Sequence, residues 1–251
     1  METYPVFLCM IVIFTDFGLN GPYTGQMKAV LYRQAPGVPV VDLFADAPMF
    51  NPAASAQLLA AYSRSFPEAT VFLCVVDPGV GGDRLPLVVR ADGRYFVGPD
   101  NGLFHRLAKQ AETLEAWRIT YRPEWLSDSF HGRDLFAPVA ARLARGEAVP
   151  GEALAPEALL GARWPAALHE VVYIDHYGNA MTGLDASDLG RDALLWVGGI
   201  ELRYARTFSE VPPQGLFWYY NANGLVEIAQ NGGSAAHSLG LNLGTPIRSK
   251  H

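Results

Sequence analysis

The sequence predicts an α/β fold: an N-terminal domain with a central, largely parallel sheet flanked by helices, then a smaller, barrel-like all-β domain. Three observations carry this reading. Nearly unbroken apolar runs alternate with helical patterns up to about residue 145, as in a sheet covered on both faces. Residues 146–165 are rich in Ala, Gly, Glu and Pro and read as a linker with one short helix. Beyond them, short strand-like runs are separated by Gly/Asn turns, the texture of an all-β unit. The boundary falls near residue 166, giving domains 1–165 and 166–251.

Taken in order, residues 6–14 are dense in β-branched side chains and end at a turn, so they form the first buried strand. Met10 is an alternative start that leaves residues 11–14 for that strand. No positive segment precedes the run and no small-residue cleavage site follows it, so it does not read as a signal peptide. Residues 23–34 form a helix stopped by Pro36-Gly37. Residues 38–44 are a second strand, 52–65 an Ala/Leu-rich helix and 70–76 a third strand. Residues 87–90 and 95–97 flank Asp92-Gly93, a hairpin signal. Residues 133–145 carry Leu135, Phe136, Val139 and Leu143 at helical spacing. The C-terminal strands are 171–174, 194–197, 216–220 and 225–228.

Composition narrows the function. Of the 251 residues, 50% are apolar and 18% charged, enough to bury a sizeable core. Nineteen basic against twenty-five acidic residues give a net charge of −6, with no basic block to track phosphates. Nucleic acid is therefore not an expected partner. No run reaches the roughly 18 apolar residues of a membrane span. Cys9 and Cys74 each sit in an apolar run with no CxxC partner, as buried free thiols do in a reducing compartment. The expected location is cytoplasmic.

Ligands of α/β sheets sit beyond the carboxyl ends of the strands. Asp16, Asp77 and Asp100 follow strands there and lie beside glycine, while Asp42 closes the second strand. The glycine-rich 77–82 segment is followed by neither the Lys-Ser/Thr of a phosphate loop nor a helix, so its glycines are expected to let a ligand approach the backbone. His131, next to Gly132 and just before a helix, is suited to project into a cleft. The other histidines lack such a context: His105 sits on a helix, and His169, His237 and His251 look peripheral. No HExxH or His-x-His occurs, so no metal site is expected, and no GxSxG elbow is present. Asn179, after Gly178, either reads the edge of a base or closes an Asx turn.

Together these segments resemble the S-adenosylmethionine hydrolase (hydroxide adenosyltransferase) family, relatives of the fluorinating and chlorinating enzymes. The resemblance is carried by Thr15-Asp16-Phe17-Gly18 with Tyr23 and Met27-Lys28, by 76–81 with Arg84, and by 99–103. Phe130-His131-Gly132-Arg133-Asp134 and Glu227-Ile228-Ala229 complete it. It implies a homotrimer whose ligand lies where one subunit's N-terminal domain meets a neighbour's C-terminal domain. It also implies an Asp77, Arg84 and His131 trio that positions the attacking water, Asp16 on the ribose hydroxyls and Asn179 on adenine. Asn101, Asp175, Tyr177, Glu227 and Ala235 complete the implied substrate-binding set. The chain departs from the family at Ala180-Met181-Thr182-Gly183, where relatives carry a second Asn, and after the second strand, where relatives often carry a His.

The implied reaction suits these side chains. The sulfonium of S-adenosylmethionine already activates the ribose 5′-carbon, so water can displace methionine and leave adenosine without a cofactor. Arg84 favours the anionic form of a nearby water, and Asp77 and His131 are expected to orient it and accept its proton. The alternatives are a halogenase using the same substrate and a non-catalytic binder of adenosine or S-adenosylmethionine.

Overall fold

The computed structural model describes residues 9–250; residues 6–8 of the first expected strand, and His251, lie outside the described residues. The chain divides into two compact units. One takes in residues up to Leu59 and Phe66–Trp164, the other Ala60–Ser65 and residues from Pro165 on.

The first unit is built on β1 (Ile11–Thr15), α1 (Tyr23–Gln34), β2 (Val40–Phe44), α2 (Pro52–Ser63, its last turn grouped with the second unit) and β3 (Val71–Val75). The β4 (Pro86–Ala91) and β5 (Arg94–Pro99) hairpin, α3 (His105–Gln110) and β6 (Leu114–Ile119) follow. A π-helical turn, Gly132–Phe136, then runs into α4 (Ala137–Ala144), and β7 (Gly151–Leu154) closes the unit. The sheet order is β2-β1-β3-β5-β4-β6-β7. Pairing is parallel from β2 to β5 and antiparallel beyond, so β1, β2, β3, β5 and β6 point one way and β4 and β7 the other. Ile11, Ile13, Leu73 and Val75 share one core with Met27 and Leu31 of α1, Phe136 of the π-helical turn and Val139 of α4. The alternate residues Val12, Phe14, Phe72 and Cys74 are equally buried, so both faces of these strands are covered.

Two expectations change here. Residues 146–165 are not simply a linker: Gly151–Leu154 pairs with β6 as the edge strand, and only Pro156–Ala158 forms a short 3₁₀ helix. Asp42 does not close its strand but lies within β2, an edge strand with solvent-facing positions, where it pairs with Lys28 at 2.5 Å.

The second unit contains β8 (Leu168–Ile174), β9 (Ala180–Asp185), β10 (Leu194–Val197), β11 (Ile200–Leu202), β12 (Leu216–Tyr220), β13 (Leu225–Gln230), α5 (Ala235–Leu239) and β14 (Arg248–Lys250). They form two antiparallel sheets, β12-β13-β9-β8 and β11-β10-β14. Both contribute to one core around Trp218, Leu195, Ile228 and Val226. Among the described residues no helix is long and apolar enough to cross a membrane.

Candidate active site

Strand register assembles the first cavity. Thr15 pairs with Val75 across β1 and β3, so the residues that follow, Asp16 and then Asp77, leave the sheet side by side at its carboxyl edge. Both line a cavity of about 420 Å³ together with His131, Tyr23, Phe50 and Phe130.

Arg84 stands in the loop between β3 and β4 and folds back onto Asp77. Its Nε donates to Oδ1 and Oδ2 at 3.1 Å each, and its Nη2 donates to Oδ2 at 2.6 Å. The same Nη2 lies 2.8 Å from His131 Nδ1. The pair is withdrawn from water, with the Arg84 side chain 10% and the Asp77 side chain 4% exposed. The Phe136 ring lies 5.7 Å below the guanidinium carbon. An ion pair this buried holds its geometry because every remaining alternative leaves a charge unpaired. The three residues named from sequence are therefore one connected group.

His131 precedes the π-helical turn, a local widening of the helix often found at functional sites. Burial, reinforced by the charge of Arg84, pulls its pKa below the ordinary 6.5, against the opposing pulls of Asp77, Asp128 and Asp134. The imidazole is neutral near pH 7. Burial also pushes Asp16 up, and the nearby Asp77 charge adds to this; the Phe50 N–H, donating to its Oδ2 at 3.1 Å, works the other way.

One glycine of residues 77–82 makes room for the chain itself. A Cβ on Gly81, at φ +79°, would meet the Asp128 carbonyl at 2.5 Å. The missing side chain thus admits the protein's own 125–131 segment. That segment is braced by Arg133, which donates from Nε and Nη2 to Asp134 and lies 5.0 Å over Phe130 and 5.2 Å over Trp125. Asp134 also accepts the Ser127 N–H at 3.0 Å. Sequence reasoning quoted this Arg-Asp pair without giving it a task.

Phe50 carried no sequence signal at all. Its φ of +57° places a bulky residue in the left-handed region, and its ring is 75% exposed at the cavity mouth. Asn101 does not line the cavity; its Nδ2 donates to Val76 O at 2.8 Å, tying the chain after β5 to the residue before Asp77.

A second cavity, of about 600 Å³, lies in the second unit and is lined by Asp175, Tyr177, Asn179, Tyr219 and Glu227 among others. Asp175 Oδ1 accepts the N–H groups of Tyr177 and Asn179 at 2.9 Å each, so the Asx turn exists. Its Oδ2 takes one Asn179 Nδ2 proton at 3.0 Å. This fixes the amide, which keeps one N–H and its carbonyl for another partner. Glu227 is 2% exposed and accepts from Tyr219 Oη at 2.6 Å and Asn221 Nδ2 at 2.8 Å. Burial raises its pKa, partly offset by those two bonds. Ala235 does not line this cavity; it is buried in the core at the start of α5, beside Ala236, whose N–H bonds Gly178 O at 2.9 Å. Among the described residues no group of His, Cys, Asp or Glu is placed to hold a metal ion.

Residues 11–152 match the profile described as the SAM hydroxide adenosyltransferase N-terminal domain, and residues 169–248 match that of its C-terminal domain. The chain is 42% identical to an (R)-S-adenosyl-L-methionine hydrolase of Thermus thermophilus, over 95% of this chain and 98% of that protein. An (R)-S-adenosyl-L-methionine hydrolase of Salinispora arenicola is 38% identical over 93% and 95%. A fluorinase of Nocardia brasiliensis is more distant, at 24% identity over 96% of each chain. The crystal structure of a conserved protein from Thermotoga maritima superposes with a TM-score of 0.86 at 33% identity, covering 96% of this chain and 100% of that one.

Proposed function

We propose that this chain, which belongs to the SAM hydroxide adenosyltransferase family, hydrolyses S-adenosyl-L-methionine to adenosine and L-methionine. The observation that carries the reading is that Asp77 and His131, joined by Arg84, line one cavity with Asp16. Water attacks the ribose 5′-carbon, the carbon–sulfur bond breaks, and methionine leaves as a neutral thioether. Water is a poor nucleophile, and the guanidinium of Arg84 stabilises its developing anion while the trio fixes its line of approach.

Asp16, ionised, accepts bonds from the ribose hydroxyls. The second cavity takes the base: Asn179 offers one donor and one acceptor to an adenine edge, with Asp175 holding that amide, and Tyr177 and Glu227 in the wall. Asn101 and Ala235 serve from behind, the first through Val76, the second through α5. In domain terms, 1–165 carries the chemistry and 166–251 the adenine. The working form is a cytoplasmic homotrimer, one chain's first domain facing a neighbour's second. Exposed Leu19, Met49, Phe50 and Trp125 of the first unit support such a partner. No cofactor or metal is required, so chelators leave the rate unchanged.

The test is chromatography of the products formed from S-adenosylmethionine in plain buffer, then with excess chloride. Adenosine and methionine in both support the reading. 5′-Chloro-5′-deoxyadenosine makes the chain a halogenase, and tight binding without turnover makes it a sensor.

A further inference from the structure

We propose that Arg84 locks His131 in the tautomer protonated on Nε2, so that His131 serves the attacking water as a hydrogen-bond donor and Asp77 is the group that takes its proton. The inference rests on the reading of these three residues as the nucleophile site and changes the division of labour within it.

The starting point is the 2.8 Å contact between Arg84 Nη2 and His131 Nδ1. A guanidinium carries only N–H donors and stays charged at any working pH. An N–H aimed at a ring nitrogen requires a lone pair on that nitrogen. Nδ1 is therefore unprotonated, and the proton of the neutral ring sits on Nε2. The imidazolium form is excluded, because both of its nitrogens are donors. Burial of the ring and the adjacent positive charge favour the same neutral state.

A ring in this state has no basic nitrogen left. Nδ1 is engaged by Arg84, and Nε2 has an N–H and no lone pair. His131 can donate to the oxygen of a water but cannot deprotonate it, and Arg84 has nothing with which to accept. The remaining candidate is Asp77. Its Oδ2 receives two of the Arg84 bonds, at 2.6 and 3.1 Å, whereas Oδ1 receives one, at 3.1 Å. A carboxylate offers about four lone-pair sites, so Oδ1 retains acceptor capacity. Asp77 and His131 both line the cavity, and Arg84 stands behind them.

The step then balances without a further reactant. The water oxygen bonds to the 5′-carbon as the carbon–sulfur bond breaks, with that electron pair staying on sulfur. The water's proton passes to Asp77 Oδ1 and on to solvent. His131 begins and ends neutral, its N–H stabilising the oxygen as negative charge builds.

Glutamine separates donor from base, because its amide N–H can stand where Nε2–H stands but takes up no proton. His131→Gln, His131→Ala and the unmodified chain are compared for adenosine release at saturating S-adenosylmethionine. The proposal expects His131→Gln to exceed His131→Ala by about tenfold or more, the worth of a hydrogen bond to a charged oxygen. Equal, severe losses in both variants overturn it. Should the variants fail to fold, ¹⁵N NMR of histidine-labelled unmodified protein decides: an unprotonated Nδ1 and protonated Nε2 on His131 are expected, and the reverse pattern overturns the proposal. That spectrum needs no turnover, so failure of the hydrolase reading remains distinguishable from failure of the tautomer assignment.

Discussion

The two cavities of the molecule solve opposite electrostatic problems. In the first unit a fully charged pair, Asp77 and Arg84, is buried and held by its own complementarity. In the second, the carboxylates of Asp175 and Glu227 are satisfied by neutral donors: backbone N–H groups, amides and a phenol. Among the described residues no basic side chain lines that second cavity. A buried ion pair keeps a strong local field ready for a charge that appears during a reaction. A set of fixed neutral dipoles reads shape and hydrogen-bonding pattern. The contrast fits the proposed division, with chemistry in one unit and recognition in the other.

The largest effect should come from the charged side. Asp77→Ala leaves Arg84 buried without its partner and removes the proton acceptor, so kcat should fall by about 10²–10⁴ while adenosine still binds, measured by steady-state kinetics beside calorimetry. Asn179→Ala should do the reverse, raising KM about tenfold with kcat nearly kept, as for the loss of one or two hydrogen bonds. If both variants change the same parameter, the division between the units fails.

The brace behind His131 comes next. Asp134 is pushed up by burial, but its bonds from Arg133 and Ser127, with the charge of Arg133, hold its pKa below the ordinary carboxylate value. Arg133→Ala frees the 125–131 segment, and kcat should drop about tenfold, since a displacement of the order of 1 Å is enough to do so. Arg133→Lys, which keeps the charge without the planar fork, should recover only part of it.

Much of the fold was legible in the sequence, and the failures have physical causes. The strands β1 and β3 announced themselves because both of their faces are apolar, and α1 was found at its observed ends, Tyr23 and Gln34. β6 was passed over because Glu115 and Arg118 face outward at a sheet margin, and β7 because Gly-Glu-Ala-Leu has almost no strand propensity of its own. β9 hides its character behind Ala180, Gly183 and Asp185, weak strand formers although all of its residues are buried. Asp77, Arg84 and His131 were named by motif, but their contact depends on the Gly81–Asp128 approach, which no spacing encodes. The strain at Phe50 is equally silent, because nothing in Met-Phe-Asn specifies a left-handed backbone.

Acidification gives a smaller, graded effect. His131 must be neutral for Nδ1 to accept from Arg84, and its pKa is depressed. Activity should therefore persist as pH falls past 6.5 and fail only below the depressed pKa of the ring, where it protonates and the two cations repel. Its stability contribution has the same sign: full above 6.5, and lost as pH falls toward the depressed value. Asp16, with its raised pKa, should raise KM on acidification beginning above 3.8, the ordinary value for that side chain.

The smallest effect concerns strain. Phe50→Gly removes a left-handed bulky residue and little buried surface, so Tm should hold or rise by a few degrees, as about 1 kcal/mol of strain is released, while KM increases through loss of the ring at the cavity mouth.

Hydrolysis in ¹⁸O-labelled water tests the central claim most directly. Attack of an activated water on the ribose carbon places the label in the 5′-hydroxyl of adenosine and none in methionine, and Asp77→Ala should slow the release of labelled adenosine by about 10²–10⁴. Unlabelled adenosine, or label found in methionine, would contradict the account.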